Sequence, residues 1–106
     1  MMNKLNKFEE MRGISYDDVN KLEKAEESYG NSWKQRGGVG AFMMLARKWD
    51  RIENQVKSLS YDIFKAIEKD SRPEGILDDI RDLRRYLLLV EQHMLEEMKV
   101  ERRKKK

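Results

Sequence analysis

The sequence predicts an all-α fold: a small helical bundle of about four helices with a long C-terminal helix, completed by oligomerisation. Three observations support this. The chain of 106 residues holds a single proline and six glycines, so little in it forces helices to stop. Its charged residues (41%) outnumber the hydrophobic ones (39%), and Lys, Glu, Arg, Leu and Met, all good helix formers, recur throughout. The apolar residues return at three- and four-residue steps, the spacing of one helical face. A domain this small buries only about 60–65% of its unfolded surface, so self-association into a dimer or higher homo-oligomer is the expected source of further burial.

Residues 1–16 show no sustained period. Phe8, Met11 and Ile14 could pack, but Gly13 is expected to interrupt any helix there. The first helix is expected from Ser15 or Asp17, either of which can cap it, through Val19, Leu22 and Ala25 to a stop at Gly30. Residues 31–38 read as a polar, glycine-rich loop that carries Trp33, Lys34 and Arg36. A second helix follows from Val39 or Gly40 to about Leu59, with Phe42, Leu45, Trp49, Ile52, Val56 and Leu59 on one stripe. Ser58-Leu59-Ser60 could then kink the chain into a shorter helix at about 61–70. Arg72-Pro73-Glu74-Gly75 is a break, because a proline disfavours helix at the residue before it. The last helix opens at Gly75 or Ile76 and continues to about Arg103. Ile76, Ile80, Leu83, Leu87, Val90 and Met94 form its seam, and Leu77, Leu88 and Leu95 a second strip.

Composition removes several function classes. With no cysteine there is no disulfide scaffold, no thiol nucleophile and no cysteine-ligated zinc. No apolar run approaches membrane-spanning length, and residues 1–7 hold no stretch that resembles a secretory signal, so no membrane association and a cytoplasmic location are expected. The net charge of +3 is uneven. Residues 99–106 hold six basic groups and one acidic group, whereas residues 1–98 carry 17 basic and 19 acidic. The chain therefore reads as one helical domain, 1–98, with a basic tail, 99–106, that could contact nucleic acid weakly through phosphates.

Candidates for chemistry are few. His93 is the single histidine and reads as a structural residue. No Walker or GxGxxG pattern occurs; Gly37-Gly38-Val39-Gly40 lacks the lysine and the preceding strand. Two acidic pairs remain, Asp50/Glu53 on the second helix and Asp79/Asp82 on the last, each spaced by three residues and bordering an apolar seam. If the two seams meet, four carboxylates converge, and such hard oxygen ligands suit Mg²⁺ or Mn²⁺. A metal held there could activate a water toward a phosphoryl group. The competing reading is ordinary surface charge: Glu23/Glu26 shows the same spacing, and Arg47, Arg51, Arg81 and Arg85 could pair with these acids. Trp49 and the methionines Met43, Met44, Met94 and Met98 read as packing residues. Trp33, in a polar loop, either docks or recognises something.

An acidic pair, a gap of residues 54–78, and a second acidic pair running into Tyr86-Leu87-Leu88-Leu89 resembles the MazG-like all-α nucleotide pyrophosphohydrolases. There Asp50-Arg51-Ile52-Glu53 stands for the ExxE pair and Asp79-Ile80-Arg81-Asp82 for the ExxD pair, with aspartate in place of glutamate at two positions. Tyr29-Gly30-Asn31-Ser32-Trp33, Gly38-Val39-Gly40-Ala41-Phe42 and Lys48-Trp49-Asp50-Arg51-Ile52-Glu53 resemble small phage-type domains associated with nucleotide modification. The similarity covers roughly residues 26–95. It implies an oligomeric bundle that cleaves nucleoside triphosphates between the α- and β-phosphates with Mg²⁺ or Mn²⁺. By the same resemblance Asp50, Glu53, Asp79 and Asp82 would hold metal, with Glu53 and Asp82 essential to catalysis. Lys34, Arg36 and Lys48 would meet phosphates, and Trp33 would stack on a base. The alternative function is a non-enzymatic helical interaction protein that self-assembles or binds a host protein.

Overall fold

The structure, a computed structural model, describes residues 6–69 and 75–104. It is all-α, with four α-helices and no strand among the described residues: α1 (Lys7–Tyr29), α2 (Gly37–Lys57), α3 (Ile63–Lys69) and α4 (Ile76–Lys104), and a 3₁₀ turn at Ser32–Lys34. The chain divides into two compact units, the first ending at Ser32 and the second beginning at Trp33.

The first unit is essentially α1. It begins well before the expected Ser15 or Asp17. The N-cap is Asn6, whose side-chain oxygen accepts from the Phe8 amide at 3.0 Å, and Glu9 and Glu10 in the first turn suit the positive end of the helix dipole. Gly13 lies inside the helix and does not interrupt it; an interior glycine costs about 1 kcal/mol relative to alanine, too little to end a capped helix of 23 residues. The end falls where expected: Gly30 takes φ +59° and its amide donates to the Glu26 carbonyl at 2.8 Å.

In the second unit α2 starts at Gly37, two residues before the expected Val39. Glycine is needed at two places there. Gly37 has φ +72°, and a Cβ on Gly40 would lie 2.7 Å from the Arg36 Cβ. α2 ends in a turn with left-handed Ser60 and Tyr61, whose Tyr61 amide donates to the Val56 carbonyl at 2.9 Å. The expected kink at residues 58–60 is therefore a full break. Asp62 then caps α3 by accepting from the Phe64 amide. The proline of the expected second break, Pro73, lies outside the described residues. Gly75 opens α4, its carbonyl accepting from the Asp78 and Asp79 amides.

Residue partners fix how α2 and α4 lie together. Lys48 pairs with Asp82 and Arg51 with Asp79, so rising numbers on α2 meet falling numbers on α4: the two helices are antiparallel. Ile52 and Val56 from α2, Ala66 from α3 and Ile76 from α4 form the buried core, with Leu59, Ile80 and Leu83 packed against it. The predicted α2 stripe is thus realised only in its C-terminal half. Phe42 and Trp49 stay 65% and 55% exposed, so Trp49 is outside this core.

Candidate functional site

The charged face between α2 and α4 comes directly from helical spacing. Lys48, Arg51 and Gln55 stand three and four residues apart on α2, and Asp79 and Asp82 three apart on α4, so each set forms one row. Asp79 is completely buried. Arg51 Nε donates to its Oδ1 at 2.9 Å and Gln55 Nε2 to its Oδ2 at 2.6 Å, so both carboxylate oxygens are engaged. Lys48 Nζ lies 3.0 Å from Asp82 Oδ2, with both side chains largely shielded from solvent. Without these partners a buried carboxylate would cost several kcal/mol in lost solvation. The row therefore locks the register of the two helices.

This arrangement differs from the expected meeting of four carboxylates. The second pair, Asp79 and Asp82, faces Lys48, Arg51 and Gln55, while Asp50 is exposed and Glu53 half-buried on the same helix. Among the described residues no group of three or more Asp, Glu or His side chains is gathered so as to hold a metal. Nitrogen donors engage both Asp79 oxygens and Oδ2 of Asp82. The donor set, so arranged, does not fit the Mg²⁺ or Mn²⁺ that the resemblance implies, and no hydrolytic step follows from it. Lys48, expected at a phosphate, is committed to Asp82.

At the other end of the α2–α4 pair the helices leave a groove of about 540 Å³. Its cause is composition: α2 begins Gly37-Gly38-Val39-Gly40-Ala41, and a Cβ placed on Gly37 or Gly38 would meet nothing within 4 Å. Phe42, Leu45, Val90 and Met94 line its apolar part. Trp33 and Lys34, from the 3₁₀ turn, line it too, together with His93 and Glu97 from α4. The Trp33 and His93 rings meet edge-on, with centroids 6.0 Å apart and planes at 88°. Lys34 Nζ sits 6.0 Å from the Trp33 ring centre, and His93 Nε2 is 3.0 Å from Glu97 Oε1. Arg36 is the N-cap of α2 but supplies no side-chain hydrogen bond to its first amides. Those amides and the dipole give the head of α2 a positive potential that favours anions.

Of the residues expected to bind a substrate, the structure brings Trp33 and Lys34 into one groove, places Arg36 at the head of α2 and removes Lys48 to another site. Phe42, Met94, His93 and Glu97 were not expected at a binding site. The four-residue spacing of His93 and Glu97 was a signal for the second pair; the openness left by Gly37 and Gly38 had none.

The chain matches no protein-family model, no curated protein and no solved structure.

Proposed function

We propose that this chain is a nucleotide-binding helical protein whose ligand lies in the groove between the head of α2 and the second half of α4. The observation that carries the reading is the meeting of Trp33 and Lys34 with the glycine-rich, side-chain-uncapped start of α2 around a groove of about 540 Å³, within the 300–1,000 Å³ usual for small-ligand sites. A base would lie against Trp33 and Phe42, and its phosphates would meet Lys34, Arg36 and the first amides of α2. The resemblance to MazG-like proteins supports the same ligand class. Binding without turnover is the expectation, because Asp79 and Asp82 are engaged by cations.

The test is calorimetric titration with a panel of nucleoside mono- and triphosphates, with and without Mg²⁺ or Mn²⁺, alongside an assay for released pyrophosphate. A Cβ on Gly38 meets nothing within 4 Å, so Gly38→Leu adds bulk to the groove lining and should remove binding while leaving the fold. Glu97→Gln removes a carboxylate from the rim and should tighten binding of a triphosphate a fewfold. If no nucleotide binds the wild-type chain, the reading is wrong. Pyrophosphate release that Glu53→Gln or Asp82→Asn abolishes would instead restore the hydrolase expectation.

A second reading, self-assembly, rests on a separate observation. Leu87, Leu88, Met94, Leu95 and Met98 on α4 are all exposed, whereas only five hydrophobic residues are buried among the described ones. Exposed apolar patches of this kind mark association surfaces. Leu88→Glu with Leu95→Glu should lower the oligomeric mass in sedimentation. An unchanged mass would remove this reading.

A further inference from the structure

The basic end of the chain is a continuation of α4. The last α4 residue that lines the groove is Glu97, and the helix runs on to Lys104. These last seven residues, about 10 Å of helix, are exposed throughout. Lys99, Arg102 and Arg103 follow at three- and four-residue spacing and therefore share one face. Lysines weakly engage one acid just before this stretch and one within it: Lys99 Nζ is 3.5 Å from Glu96 and Lys104 Nζ 4.0 Å from Glu101. Arg102 and Arg103 form no ion pair among the described residues. Lys105 and Lys106 follow in the sequence and add two more charges.

Basic residues in a final turn also complement the helix dipole. That role covers Arg102, Arg103 and Lys104 in the last turn, and Lys99, five residues before the helix end, extends the cationic face beyond it. We propose that this end of α4 binds the phosphate backbone of nucleic acid, without sequence preference, through Lys99, Arg102 and Arg103. One chemical feature selects nucleic acid over an anionic membrane, and the guanidinium chemistry then suits its phosphates. The stretch holds no Trp or Phe, and its apolar residues are Met98 and Val100 alone, too little to insert into a lipid interface. Guanidinium forks suit phosphate oxygens, and a charged helical face needs no base contact to bind.

The experiment uses the whole chain with a fluorescently labelled mixed-sequence oligonucleotide, read by anisotropy across a salt series. Binding is expected to be indifferent to scrambling of the sequence. With about three phosphates neutralised, log K should fall against log salt with a slope of about −2 to −3. Arg102→Glu with Arg103→Glu should weaken binding at least about tenfold, with helix content by circular dichroism unchanged. The proposal is overturned if the wild-type chain binds no oligonucleotide at low salt, or if the double variant binds as the wild type does. Tighter binding to phosphatidylserine vesicles than to the oligonucleotide at the same salt would overturn it as well.

Discussion

The two ends of the α2–α4 pair are built from the same helices yet behave oppositely. At the α3 end, branched side chains from Ile52, Val56 and Ile76 meet Ala66 and exclude water, and the Asp79 carboxylate is fully satisfied beside them. At the other end Gly37, Gly38 and Ala41 contribute almost no volume, Phe42 stays exposed, and a groove remains. Helix pairing alone does not make a core; side-chain volume at the contact decides whether the interface closes or stays open. The closed end sets the register, and the open end leaves a groove.

Substitutions can break or sharpen this contrast. The largest effect should come from Asp79→Ala, which leaves Arg51 and Gln55 facing an apolar gap. Removing one partner of a buried ion pair costs about 3–5 kcal/mol, and because half of the Arg51 side chain reaches solvent the lower end is expected. Urea unfolding would show it as a fall in midpoint with little change of slope. Next, Ile52→Ala should cost about 2–4 kcal/mol at the closed end, whereas Phe42→Ala at the open end should cost well under half of that. Equal losses in parallel thermal melts would mean that the two ends do not differ as described. The smallest effect falls in the first unit. A Cβ on Gly13 meets nothing within 4 Å, so Gly13→Ala should stabilise α1 by about 0.5–1 kcal/mol. A lower melting temperature would contradict this.

Much of the fold was legible because the signals were local. Gly30 ended α1, Ile76 opened α4, and the α4 seam supplied Ile76, Ile80 and Leu83 to the packed end. α1 starts earlier than expected because the interior Gly13 costs less than the Asn6 cap, with Glu9 and Glu10 behind it, contributes. The candidate site was legible only in part. Trp33 and Lys34 stood out as an aromatic and a cation in a glycine-rich loop. Their neighbours His93, Met94 and Glu97 lie some sixty residues on, and no local pattern joins positions so distant. Their spacing places Asp79 and Asp82 in one row, but spacing carries no information about which row faces it.

The sequence by itself determined that the chain is helical, where most helices end, and that its cations cluster at the C-terminus. Those properties depend on neighbours within a few residues, through capping, backbone preference and period. Only the tertiary structure decided that Lys48 and Arg51, and not Asp50 and Glu53, meet the half-buried Asp82 and the buried Asp79 of α4. It likewise decided that the head of α2 stays open against α4. Both outcomes depend on the rotation and register of one helix against another, which the total packing of side chains fixes and no single segment encodes.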